Sequence, residues 1–74
     1  MTERQKISLT QQLDEVRREL DQRKRVYPHL VASRKMRQSI ADYQTLRMEA
    51  VGDTLLWLIE NEQRIKETLA GEIR

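Results

Sequence analysis

His29 is the chain's one histidine, and there is no cysteine to join it. A metal site needs several ligands at a set spacing, so His29 reads as an exposed turn residue, and neither a metal nor a cofactor is expected. Ser33 and Ser39 have no base at a motif spacing and are better suited to capping helices; no glycine-rich phosphate loop occurs. Glu60, Glu62 and Glu67 share a helix surface with Arg64 and Lys66, the pattern of a solvated face. Neither a nucleophile with its base nor a general acid–base pair is assembled, so no enzyme is expected. The chemistry that remains is charge.

That charge is unevenly spread. Residues 17–37 carry eight basic side chains against Glu19 and Asp21, a balance of +6. Residues 1–16 come to −1 and residues 38–74 to −3, so the net +2 of the whole chain hides a strong polarity. The candidate binding residues are Arg23, Lys24, Arg25, His29, Arg34, Lys35 and Arg37, gathered around the only proline, Pro28. Such a cluster steers polyanions, and equally an acidic protein face. The nearby aromatic residues, Tyr27 and Tyr43, are expected to be buried, which leaves little to stack on bases.

The elements that position this cluster follow from periodicity. Leu9, Leu13, Val16 and Leu20 keep the alternating spacing of a helix packed on another helix. Ser8 and Gln11 form a capping-box pair at its start. Pro28 disfavours helical geometry at Tyr27, so helix one is expected over about 8–26 and a bend over about 27–36. Within the bend, Pro28 suits the first position of a short helical turn, while Tyr27, Leu30, Val31 and Met36 plug the end of the core. Met48, Val51, Leu55, Leu58, Ile65 and Leu69 continue a heptad-like seam interrupted by Glu62, which predicts helix two over about 37–70. Ser39 with Asp42 makes its best capping box. The whole chain, 1–74, is then one all-α domain, an antiparallel helical hairpin with arms of unequal length. The start Thr2-Glu3-Arg4-Gln5-Lys6 has no apolar stretch behind it, so no signal peptide is expected. The longest apolar run, Leu55 to Ile59, is far shorter than the ~20 residues of a membrane span. A cytoplasmic protein that does not enter membranes is the expectation.

The unequal arms carry an inference about association. A single covering helix shields a stripe of about 100°, whereas the Leu55–Ile59 cluster is apolar on three sides. Counting back from the bend places Val16 opposite Arg47 or Met48, and Leu13 opposite Val51. Gly52, Leu55, Leu56, Trp57 and Ile59 are therefore read as a self-association surface, with a homodimeric helical bundle as its product.

The bend also carries a resemblance. The string Val26-Tyr27-Pro28-His29-Leu30-Val31-Ala32-Ser33-Arg34-Lys35-Met36, followed by Ala41-Asp42 and Met48-Glu49-Ala50-Val51, resembles short uncharacterised helical proteins encoded by bacteriophages and prophages. Their common form is Val-Tyr-Pro-x-x-Val-x-x-Gly-x-Met followed by a threonine-type cap. The resemblance covers about residues 20–55 and implies a helical hairpin in a phage setting, with no activity attached. Arg34 stands where that pattern has glycine and Arg37 where it has the capping threonine, and both departures add positive charge. The glycine implies a left-handed backbone at position 34.

Two functions compete on these grounds, against a third reading, a structural filler with no specific ligand. One is a protein-interaction module, phage- or prophage-encoded, that self-associates and binds or modulates a bacterial protein. The other is a small nucleic-acid-binding regulator that uses the basic bend.

Overall fold

A computed structural model of the chain describes residues 4–73; Thr2 and Glu3, part of the polar start, lie outside them. The architecture is two helices packed as an antiparallel hairpin, α1 over Leu9–Ala32 and α2 over Gln38–Ile73. The expected capping box starts α1. The Gln11 amide donates to the Ser8 hydroxyl at 3.1 Å and the Ser8 amide to the Gln11 side chain at 2.9 Å, so two otherwise orphaned donors are satisfied reciprocally.

Helix one is longer than expected. It runs through Pro28 to Ala32, with no separate helical turn, and the bend contracts to residues 33–37. Proline withdraws the amide that the Lys24 carbonyl would otherwise accept, but Lys24 is exposed and water can replace that bond. Continuing the helix lets Tyr27 and Val31 line one crevice with Ala41 and Thr45 of α2. Tyr27, Leu30, Val31 and Met36 are all half-buried there, as the plug at the end of the core requires. Burial that only a continued helix delivers overrides the local preference of a proline.

The longer α1 also shifts the register. Val16 meets Gly52, where a Cβ would stand 3.3 Å from the valine Cγ1 and 3.8 Å from Leu13 Cδ1. That is about one helical turn beyond the expected Arg47 or Met48. Arg23 fastens the same register nearer the bend: its Nη1 donates to the Gln44 carbonyl at 2.7 Å and its Nε to Glu19 at 3.0 Å. Ala41, Met48, Gly52, Leu55 and Ile59 recur at helical spacing on the row of α2 that holds these contacts.

The core is thin. Leu13, Val16 and Ala41 are the only buried apolar residues among those described, and none of the described side chains is fully enclosed. The molecule measures 59 × 31 × 16 Å. A helix with its side chains is about 10–12 Å across, so the shortest dimension holds one layer of helices, whereas a stable domain packs at least two. α2 has 36 residues against 24 in α1, and its carboxyl-terminal part extends past the end of its partner. No helix among the described residues is long and apolar enough to cross a membrane.

The Val16–Gly52 approach makes a measurable prediction. Gly52→Ala trades a tight contact against about 1 kcal/mol of helix propensity and is expected to change stability little. Gly52→Leu drives a branched side chain into Val16 and is expected to lose roughly 1–3 kcal/mol. Chemical denaturation of the three proteins checks the pair; equal stability of Gly52→Leu and wild type would show that the helices do not meet here.

Candidate functional site

Arginine stands at both turning points of the bend, just after the C-cap of α1 and at the N-cap of α2. Arg34 has φ 61°, the only positive value at a non-glycine residue among those described. It follows the C-cap Ser33, and the bonds around it close a double motif. The Lys35 amide donates to the Leu30 carbonyl at 2.9 Å and the Arg34 amide to Val31 at 3.1 Å. This is the Schellman arrangement, whose left-handed residue is normally glycine because a Cβ is strained there. The left-handed geometry implied by the resembling pattern is therefore present, with the wrong residue for stability.

Arg37 occupies the other cap. The Ala41 amide donates to the Arg37 carbonyl at 3.0 Å, the first bond of α2, which makes Arg37 the N-cap. An arginine offers no acceptor to the next orphaned amides, and its charge opposes the positive end of the helix dipole. The expected box of Ser39 with Asp42 does not form. Ser39 lies inside the first turn, and Asp42 instead accepts from the Gln38 side chain at 2.8 Å.

The surface around these caps is basic and open. Lys24, Arg25, His29, Arg34, Lys35 and Arg37 are all exposed, drawn from the end of α1, the bend and the start of α2. Arg23 leaves the set. Its side chain is only 16 % exposed, held by Glu19 and the Gln44 carbonyl and lying 5.7 Å from the centre of the Tyr27 ring. It clasps the two helices instead of facing a partner. Spacing alone misses this, because Arg23 is neighboured in sequence by Lys24 and Arg25, which do point outward.

Tyr43 departs from expectation in the opposite direction. It is 59 % exposed, on the outer face of α2, with the Arg47 guanidinium 5.5 Å from its ring centre. Tyr27 is half-buried, as expected.

The residues read as a self-association surface divide between two faces. Gly52 packs on Val16 within the hairpin, so its lack of a side chain is explained without a second copy. Leu55 and Ile59 are half-buried on the same row, while Leu56 and Trp57 remain 41 % and 58 % exposed. Beside the row, an open groove runs along the hairpin, with Val16, Met48, Val51 and Leu55 among its apolar lining. Glu15 and Glu19 line its α1 side, and Arg4 and Lys6 its amino-terminal end. The hydrogen bond and charge of Arg18 hold the Glu15 carboxyl below its ordinary range.

Comparison with protein-family models, with curated proteins and with solved structures finds no match.

Both caps predict a gain when repaired. Arg34→Gly removes left-handed strain of roughly 1 kcal/mol, and Arg37→Thr restores an N-cap worth about 0.5–2 kcal/mol. Each variant is expected to melt several degrees higher than wild type; a lower melting temperature for either would mean that its arginine contributes to folding.

Proposed function

We propose that this chain is a small non-enzymatic protein-interaction module, phage- or prophage-encoded and acting in the bacterial cytoplasm. It self-associates and presents its basic bend to an acidic face of a bacterial protein. The observation that carries this reading is the pair Arg34 and Arg37. Both occupy backbone positions where another residue would stabilise the fold, and both add to a cluster that is already strongly positive. Local rules broken together, in one place and with the same chemical result, are the mark of a surface kept for binding. The residues proposed to make contact are Lys24, Arg25, Arg34, Lys35 and Arg37, with His29 among them.

A nucleic-acid-binding regulator is the second reading, favoured by the exposed Tyr43 ring beside Arg47. Near the bend Tyr43 is the one exposed aromatic residue, with Trp57 about four turns away along α2, and single-stranded binders use several close together. Protein recognition is therefore the better-supported function.

Affinity capture from bacterial lysate, with and without nuclease, separates the two. Wild type is expected to retain a protein after nuclease treatment, and Arg25→Glu with Lys35→Glu to lose it while staying folded. Exposed charges contribute no more than about 1 kcal/mol each to stability. Captured material that disappears with nuclease, together with binding that weakens steeply with salt, would transfer the function to nucleic acid.

A further inference from the structure

The lateral groove and the projecting end of α2 fit one another. The heptad-like seam on α2 continues past the end of α1, so Leu58, Ile65 and Leu69 prolong the line begun by Met48, Val51 and Leu55. Val51 and Leu69 are about half exposed, although the spacing is that of residues buried between helices. The groove beside this seam is open where α1 is present, and the seam has no α1 beside it where α1 has ended. We propose that each groove receives the projecting α2 end of a second copy, the two α2 helices running antiparallel about a two-fold axis at Leu58.

Three observations select this occupant and this direction. Most of the seam is self-complementary about Leu58: Val51 and Ile65 stand seven residues to either side, and Met48 and Leu69 ten and eleven, while Leu55 faces Asn61 and Glu62. The charges also alternate in step. The groove presents Arg4 and Lys6, then Glu15 and Glu19, with Arg47 farther towards the bend. An antiparallel α2 end brings Glu62, Lys66 and Glu72 past them in that order, so the pairs within each copy, Glu15 with Arg18, Glu19 with Arg23 and Glu62 with Lys66, meet groups of opposite charge from the other copy. A parallel pairing would instead place Glu62 against Glu62 inside the seam. The dimensions fit a small interface. From Met48 to Leu69 the seam is about 32 Å long, about two helix widths across where α1 lies beside it and one helix width across beyond. That comes to roughly 500 Å² per partner, below the ~800 Å² of a standard interface.

The competing face is the outer side of α2, where Tyr43, Leu46 and Trp57 are each about 60 % exposed. That face is convex and is interrupted by Thr54 and Asn61, so it offers no continuous seam. This inference rests on the self-association within the proposed function, and it is independent of what the basic bend binds.

Because the chain has no cysteine, single introduced thiols report the geometry cleanly in the full-length protein. Under mild oxidation Leu58→Cys is expected to cross-link to itself, and Leu69→Cys not to. A mixture of Met48→Cys and Leu69→Cys is expected to form the mixed pair. Efficient self-linking of Leu69→Cys would establish a parallel arrangement and overturn the proposal. As an independent measure, Ile65→Asp, which alters only the projecting end, is expected to weaken dimerisation more than tenfold by light scattering, and Trp57→Ser to leave it unchanged. The reverse ranking would place the interface on the outer face, ending this inference while preserving self-association. A wild-type monomer at tens of micromolar would end both.

Discussion

Val16 sits over Gly52 so closely that a single added carbon would touch it, and this approach sets the register of the hairpin. Once these residues are opposed, the bend must fall beyond Ala32, and α2 must outlast α1 at the other end. The Arg23 clasp to Gln44 holds the same register from the bend side. The half-covered seam, the groove and the projecting end are consequences of that one close contact between helices of unequal length.

What the contact does not supply is a second layer. Leu13, Val16 and Ala41 are a slight core for helices of 24 and 36 residues, and each buried Val or Leu contributes only about 1.5–3 kcal/mol. Chain entropy opposes folding at every ordered residue. Apolar side chains left half exposed along α2 are the material from which a second copy can complete the core. On this account folding and association are one process. The basic bend lies at one end of the hairpin, where its side chains are exposed. Two arginines placed where glycine and threonine would stabilise the chain give up some folding energy at the bend.

The all-α hairpin was legible in the sequence because its signals are local. The Ser8–Gln11 box and the apolar spacing from Leu9 to Leu20 depend only on neighbours along one helix. The length of helix one was not legible, because Pro28 reads as a boundary until the burial of Tyr27 and Val31 against Ala41 is known. That displacement moved the residue facing Val16 by about a turn, left Leu13 beside Gly52, one residue from the expected Val51, and turned Gly52 from an inferred contact between copies into a contact within the hairpin. The basic cluster was legible as composition, but the inward turn of Arg23 depends on the Gln44 carbonyl across the hairpin. The outward position of Tyr43 depends on the phase of α2, which spacing near a helix start defines poorly. The left-handed position of Arg34 was visible only through the resembling pattern, since nothing about an arginine announces it.

The dependence of folding on a second copy is tested most directly by thermal unfolding at several protein concentrations, followed by far-ultraviolet circular dichroism. A chain that folds as it dimerises gains stability by mass action, so a hundredfold increase in concentration is expected to raise the melting temperature by on the order of 5–10 °C. A sharp transition at the same temperature across that range would show that the hairpin folds alone, and would contradict the account.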